Sequence, residues 1–254
     1  MSYESPDKRR KGIYLLPNLF TTGTLFAGFY AMIAAINGNF EYAAAAIFLG
    51  MLADALDGRV ARLTNTQSDF GGEYDSLADM VTFGLVPALV MYVWSLSYIA
   101  EITELGRFGK QIAWAAAFFY TAMTALRLAR FNINNDEETD KRYFQGLPSP
   151  AAAAVTMGFV WVMVDFEIAG ADVRWFALAL TVGAGALMVS NIRFSSFKEI
   201  KLTEKVPFTW ILGLVLVILL VQFDPPRVLF GVFLVYALSG PCMAVHRAVK
   251  ERGQ

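Results

Sequence analysis

The feature that most constrains the fold of this chain is a succession of long apolar stretches separated by short polar ones. A helix that crosses a bilayer needs about 20 mostly apolar residues, and the 254-residue sequence contains eight such stretches. Hydrophobic residues make up 56% of the chain and charged residues 17%, whereas soluble domains average roughly 45–50% and 25%. The predicted fold class is all-α, a polytopic bundle of transmembrane helices.

The predicted spans set the domain organisation. They cover residues 14–36, 42–63, 75–98, 112–131, 150–165, 174–191, 207–222 and 226–246. The sequence has no internal repeat and no linker, so residues 1–254 are predicted to form one integral-membrane domain. Its catalytic core covers about 12–195 with six spans, and 207–246 adds two more. We expect the first stretch to be retained, because no convincing signal cleavage site follows the basic N-terminus.

The basic residues are unevenly distributed between the predicted loops. Most of the 21 Lys and Arg residues fall on the side that holds both termini and the 54–79 stretch. Since cytoplasmic loops are enriched in Lys and Arg, that side is predicted to face the cytoplasm in the cell membrane. The lipid bilayer is therefore an expected partner. The sequence contains no basic stripe of the kind that nucleic acid requires, so nucleic-acid binding is excluded.

Single residues exclude two further kinds of site. Cys242 is the sole cysteine, which excludes an intrachain disulfide and a cysteine-based metal cluster. His246 is the sole histidine and lies in a basic tail, so a Ser-His-Asp triad has no support.

Four carboxylates interrupt the apolar pattern at or near membrane depth: Asp54, Asp57, Asp75 and Asp79. A charged residue there costs about 2.5–3.5 kcal/mol on insertion scales, so it indicates a functional site. Asp54 and Asp57 are three residues apart and share one helix face, and Asp75 and Asp79, four apart, share a face of another helix.

The simplest geometry places the two carboxylate pairs opposite each other on helices joined by a turn at Gly71 and Gly72. Four such charges repel one another in a low dielectric, so a cation is expected among them. Oxygen ligands favour Mg²⁺, Mn²⁺ or Ca²⁺, and four carboxylates could hold two ions. The alternative is a set of pore-lining or helix-pairing carboxylates, as in a transporter.

The motif from Asp57 to Asp79 follows the pattern D-G-x2-A-R-x8-G-x3-D-x3-D. This resembles the signature of the CDP-alcohol phosphatidyltransferase family, and every fixed position matches. The resemblance implies a membrane-integral transferase of phospholipid biosynthesis that uses Mg²⁺ or Mn²⁺, with two ions held by the four aspartates. It also implies that Asp79 acts as the general base and that the protein is a homodimer.

The same resemblance predicts a CDP-binding site. Gly58 and Ala61 lack bulk, which lets a nucleotide approach the helix, and Arg62 can pair with a phosphate or sugar. For Asn18 and Thr21, local capping is an equally good explanation. The predicted CDP-binding residues are Asn18, Thr21, Gly58, Ala61, Arg62 and Gly71.

A second informative stretch runs from Arg127 to Pro150. Arg127 and Arg130 lie three residues apart and can point at one anion, although cations near a helix C-terminus are favoured in any case. The Arg-Phe-Asn and Gly-Leu-Pro-Ser-Pro blocks resemble those of the phosphatidylserine synthase branch, which implies L-serine as acceptor. The predicted acceptor-binding residues are Arg127, Arg130, Asn132, Gln145 and Ser149.

The resulting hypothesis is transfer of the phosphatidyl group of CDP-diacylglycerol to the L-serine hydroxyl with release of CMP, by direct displacement. Three alternatives stay open on the sequence. They are a sibling enzyme that uses glycerol 3-phosphate, inositol phosphate or an amino alcohol, an ion-coupled transporter, and a structural membrane protein that keeps the motif without activity.

Overall fold

The computed structural model describes residues 6–64, 68–134, 143–195 and 208–252, which form nine α-helices and two short strands. The helices are α1 Pro6–Ile36, α2 Phe40–Leu63, α3 Asp69–Asp79, α4 Val86–Trp94, α5 Arg107–Asn134, α6 Ser149–Asp165, α7 Arg174–Val189, α8 Phe208–Phe223 and α9 Pro225–Arg252. A π-helical turn, Met80–Leu85, joins α3 to α4, and two 3₁₀ segments, Leu96–Glu101 and Thr103–Leu105, precede α5. Strands β1 Tyr143–Gln145 and β2 Arg193–Ser195 pair antiparallel.

The all-α fold class is confirmed, and each predicted span overlaps helical structure. The predicted span 75–98 is divided between the end of α3, the π-helical turn, α4 and part of the first 3₁₀ segment. The predicted turn at Gly71 and Gly72 is wrong, because both residues lie in the first turns of α3. Ser68 caps this helix by accepting a hydrogen bond from the Gly71 amide at 3.1 Å, so the helix begins earlier than predicted. Helix α2 ends at Leu63 and α3 begins at Asp69.

Four helical segments within the described residues are long and apolar enough to cross a membrane: Pro17–Ile36, Asp69–Trp94, Arg107–Ile133 and Pro225–His246. The apolar helices α6 and α7 are shorter. Large apolar side chains face outward, for example Phe26 with 67% of its surface exposed, as expected where lipid replaces water as the solvent. The chain is a membrane protein, and the number of eight spans stays a prediction.

Small residues let the helices that carry the motif approach closely. A Cβ atom added to Gly28 of α1 would lie 2.6 Å from the Thr82 Oγ1 in the π-helical turn, and one added to Gly50 of α2 would lie 3.2 Å from Thr82 Cγ2. The Thr82 hydroxyl donates to the Thr24 carbonyl at 3.0 Å. Close packing of this kind holds membrane helices together and fixes α1, α2 and the end of α3 relative to one another.

The two-stranded sheet was not predicted from the sequence. Gln145 of β1 lies opposite Arg193 of β2. The buried Phe194 ring contacts Tyr236 of α9 with 5.8 Å between ring centroids, and a Cβ added to Gly240 would lie 2.4 Å from the same ring. Helix α9 therefore packs directly against the strand that supports β1.

Candidate active site

A cavity of about 620 Å³ lies between α1, α2, α3, α5 and the β1–α6 segment, by which we mean residues 143–150. The motif residues reach it because α2 and α3 bring their polar ends together against the start of the apolar part of α1. The predicted site residues that line it are Asn18, Thr21, Asp54, Asp57, Gly58, Ala61, Arg62, Gly71, Asp75, Asp79, Arg127 and Ser149.

Three of the aspartates converge in what we call the carboxylate cluster: Asp54, Asp57 and Asp75 can each offer one oxygen, and these atoms lie within 4.8 Å of one another. Only 5% of Asp57 is exposed, and its Oδ2 accepts a hydrogen bond from the Thr21 hydroxyl at 3.0 Å. A hydrogen bond from a neighbouring side chain orients a carboxylate for ligation. Thr21 therefore supports the cluster from α1.

Asp79 lies one helical turn after Asp75 and also lines the cavity. The Oδ1 atoms of both residues are buried and have no hydrogen-bond partner within the described part of the chain. Buried carboxylate oxygens normally have partners, and an all-oxygen set of this kind suits Mg²⁺ or Mn²⁺. The residues present therefore fit a divalent cation.

The π-helical turn begins directly after Asp79. Such turns leave backbone groups out of the regular helical pattern and often occur at functional sites. The buried Tyr120 hydroxyl of α5 donates to the Phe83 carbonyl in this turn at 3.2 Å. Helix α5 thus contacts the turn that follows Asp79, which sequence spacing alone does not indicate.

On the other side of the cluster the cavity is open. A Cβ added to Gly58 would meet no atom within 4 Å among the described residues, whereas one added to Gly71 would lie 3.5 Å from Asn18 Oδ1. The Arg62 Nε donates to the Gly58 carbonyl at 2.8 Å. Room beside Gly58 is what the sequence predicted for a nucleotide.

Of the two predicted acceptor arginines on α5, Arg127 lines the cavity. Its Nη1 donates to the Ser149 hydroxyl at 3.1 Å, and its buried Nε has no hydrogen-bond partner among the residues that the structure describes. The guanidinium also interacts electrostatically with Asp79. A cation with a spare donor thus lies close to the aspartates.

The other three predicted acceptor residues are not among the described residues that line the cavity. Asn132 exchanges hydrogen bonds with Ser76 of α3, the shorter at 3.1 Å. Arg130 donates to Gln145 and to groups at the end of α7. These side chains connect elements around the cavity.

Several lining residues were not predicted: Pro17, Ala55, Ser68, Gly72, Leu128, Phe131, Phe144, Pro148 and Pro150. Some of them lie next to predicted site residues and could therefore have been predicted from the sequence. Phe144 lies beside the predicted Gln145, but residue spacing does not indicate that Phe144 and not Gln145 lines the cavity, because this depends on the pairing of β1 with β2, which lie far apart in the chain.

The chain is similar to known proteins over most of its length. A family model described as CDP-alcohol phosphatidyltransferase matches residues 14–187. A Helicobacter pylori protein named CDP-diacylglycerol–serine O-phosphatidyltransferase is 35% identical over 89% of this chain and 90% of its own length. Proteins of the same name from Mycobacterium leprae and Bacillus subtilis are 29% and 34% identical, over 97% and 72% of this chain and 79% and 92% of their own lengths. The chain belongs to the CDP-alcohol phosphatidyltransferase family.

Proposed function

We propose that the protein transfers the phosphatidyl group of CDP-diacylglycerol to the hydroxyl of L-serine and releases CMP. The observation that carries the proposal is the convergence of Asp54, Asp57 and Asp75 in a cavity that Asp79 and Arg127 also line. The names of the relatives support serine as the acceptor. CDP-diacylglycerol and L-serine are accordingly the proposed substrates.

The residues for a metal are Asp54, Asp57, Asp75 and Asp79. Mg²⁺ or Mn²⁺ bound there, as one ion or two, would neutralise the diphosphate oxygens of the donor and stabilise CMP as the leaving group. Thr21 keeps one Asp57 oxygen oriented through its hydrogen bond. The carboxylates thus bind and orient the diphosphate end of the substrate.

The cytidine side of the donor would occupy the open space beside Gly58 and Ala61, where the small residues allow close approach. Arg62 lines the same region and can pair with a phosphate oxygen. Asn18 and Gly71 also line the cavity. The hydroxyl of Thr21 is engaged with Asp57, so its proposed contribution to CDP binding is indirect.

The chemical step is a direct displacement. The serine oxygen forms a bond to the phosphatidyl phosphorus, and the bond from that phosphorus to the CMP oxygen breaks. Asp79 accepts the hydroxyl proton, and CMP leaves with the electron pair. Asp79 suits this role because its Oδ1 has no partner within the described residues and it lines the cavity beside the cluster.

The acceptor would lie between Asp79 and Arg127. The guanidinium of Arg127 can bind the serine carboxylate through its spare donor, and the Ser149 hydroxyl, which already bonds Arg127 at 3.1 Å, borders the same space. Of the predicted acceptor residues, Arg127 and Ser149 are therefore the proposed contacts.

The cytoplasmic membrane is the proposed location, with the active site and both termini at the cytoplasmic face. The support is the Lys and Arg distribution of the sequence. Some of these residues, in 141–142 and 198–205, lie outside the described residues. The homodimer stays a prediction from the family resemblance.

The test is CMP release by the purified protein from CDP-diacylglycerol in detergent with Mn²⁺ or Mg²⁺. L-serine and glycerol 3-phosphate are supplied as acceptors in parallel. We expect release that requires L-serine and stops with EDTA. Release with glycerol 3-phosphate alone would contradict the proposed acceptor, and no release with either would contradict the proposed reaction.

A further inference from the structure

Arg130 lies three residues after Arg127 on α5, yet the two guanidinium groups have different surroundings. Arg127 lines the cavity, whereas Arg130 is not among the described residues that do so. The Arg130 Nη2 donates to Gln145 Oε1 and, at 3.0 Å, to Asn191 Oδ1, while Nη1 contacts the Val189 carbonyl at 3.5 Å. Arg130 thus joins α5, β1 and the end of α7.

The end of α7 is where the β1–α6 segment is attached. The Leu147 amide donates to the Leu187 carbonyl at 2.9 Å, and the Gly146 amide donates to the Ile192 carbonyl at 2.8 Å. The last carbonyls of a helix need donors from elsewhere and carry partial negative charge. Arg130 binds the Val189 carbonyl and so supplies both a donor and a positive charge at this helix end. It thereby reinforces the attachment of the β1–α6 segment.

The attachment leaves little room for adjustment. Gly146 has a φ of +77°, and a Cβ added there would lie 2.1 Å from the Met188 carbonyl oxygen. Leu147 is fully buried against the same helix end. A displacement of this region would therefore carry the next residues with it, including Ser149, the hydrogen-bond partner of Arg127.

We infer that Arg130 is a positioning residue, which together with Asn191 fixes the β1–α6 segment so that Ser149 and Arg127 keep the geometry of the acceptor site. The inference rests on the proposed function for what the site binds. It assigns Arg130 a different role from the direct acceptor contact that the sequence predicted. It also gives a role to Asn191, a residue outside every motif.

Steady-state kinetics distinguish a positioning role of Arg130 from a direct contact with the acceptor. A misplaced reactant can cost about 100-fold in rate, and we expect a loss of that size in kcat/KM for L-serine in Arg130→Gln, shared between a lower kcat and a higher KM. Asn191→Ala should lose about tenfold, the size of one charge-assisted hydrogen bond. The double variant should be no worse than Arg130→Gln, since both changes break one contact. The KM for CDP-diacylglycerol and the melting temperature should stay unchanged.

A direct contact between Arg130 and the acceptor predicts a different pattern. Asn191→Ala would then match the wild type, and Arg130→Gln would raise mainly the KM for L-serine. That result would overturn the inference. Arg107→Gln, which removes an exposed arginine from the other end of α5, is the matched control and should be silent in every assay.

Hydrogen exchange tests the positioning role without substrate. In Arg130→Gln and in Asn191→Ala, peptides covering residues 144–150 should exchange faster than in the wild type, and unchanged exchange would overturn the inference. This readout stands even if the wild type releases no CMP with L-serine, in which case the proposed function fails on its own. If Arg130→Gln does not fold, Asn191→Ala decides: faster exchange with reduced kcat/KM supports the inference, and wild-type behaviour overturns it.

Discussion

The carboxylate cluster and the β1–α6 segment line the same cavity but are built in different ways. The cluster comes from two neighbouring helices, and its side chains meet because of spacing within one stretch of sequence. The β1–α6 segment is held by distant partners. Its strand β1 pairs with β2, and its Gln145 bonds Arg130, which also bonds Asn191, 61 residues away. The comparison suggests that metal binding depends on local motif geometry, whereas acceptor binding depends on how the whole bundle packs.

The largest expected effect comes from the proposed base. Asp79→Asn should lower kcat by about 1,000-fold, within the range for loss of a general base, while CDP-diacylglycerol still binds. The measurement is CMP release together with equilibrium binding of the donor. Asp69→Asn, an exposed aspartate in the first turn of the same helix, is the control and should keep wild-type activity. Full activity in Asp79→Asn would rule out the base assignment.

Arg127→Gln should impair acceptor binding much more than metal binding. Losing the proposed carboxylate contact and the bond to Ser149 should lower kcat/KM for L-serine by about 100-fold, as for two charge-assisted hydrogen bonds. The Mn²⁺ concentration for half-maximal activity should change much less, because Arg127 acts on the proposed metal residues only through its electrostatic interaction with Asp79. If the half-saturating Mn²⁺ concentration shifts while the KM for L-serine does not, Arg127 contributes to metal binding and not to acceptor binding. That result would contradict the distinction between the two regions.

Thr21→Val tests the carboxylate cluster separately from the acceptor site. It removes the hydroxyl that orients Asp57 with little change in volume, and loss of such a partner costs about tenfold or more in metal affinity. We expect the half-saturating Mn²⁺ concentration to rise by about that factor, with an unchanged KM for L-serine at saturating Mn²⁺. Thr22→Val is the neighbouring control, because Thr22 bonds Tyr74 instead. Equal effects in both variants would contradict the role of Thr21.

The smallest effect is expected from Gly240→Ala in α9, a residue that is not among those described as lining the cavity. In Gly240→Ala the new Cβ would crowd the Phe194 ring, and overpacking of this kind forces side chains and backbone to shift. Because β2 supports β1, we expect kcat/KM for L-serine to fall by about threefold to tenfold and the Mn²⁺ dependence to stay unchanged. Gly231→Ala on the same helix is the control, since an added Cβ there meets no described atom within 4 Å. Equal kinetics in the two variants would mean that α9 does not influence the acceptor side.

The sequence predicted those parts of the molecule that depend on local periodicity. Apolar stretches indicated the helical segments, although the predicted span 75–98 is divided between α3, the π-helical turn and α4. The spacing of the aspartates predicted a carboxylate cluster, in which Asp54, Asp57 and Asp75 converge. The Gly71–Gly72 turn was mispredicted because glycine usually interrupts helices, whereas here a Ser68 cap stabilises the helix start.

The remaining features depend on contacts between distant residues. Arg127 and Arg130 have the same residue type and share a motif, yet one lines the cavity and the other bonds Gln145 and Asn191. Neither the β1–β2 pairing nor the bond from Tyr120 to the π-helical turn has a counterpart in residue spacing. Tertiary packing decides such features, and a single sequence does not encode them in a periodic form.

The most direct test of the central claim is incorporation of labelled L-serine into lipid by the purified protein supplied with CDP-diacylglycerol and Mn²⁺. We predict label in the lipid fraction in a one-to-one ratio with released CMP, abolished by EDTA and restored by excess Mn²⁺. Release of CMP without labelled lipid, or labelled lipid formed equally well in EDTA, would contradict metal-assisted phosphatidyl transfer to serine.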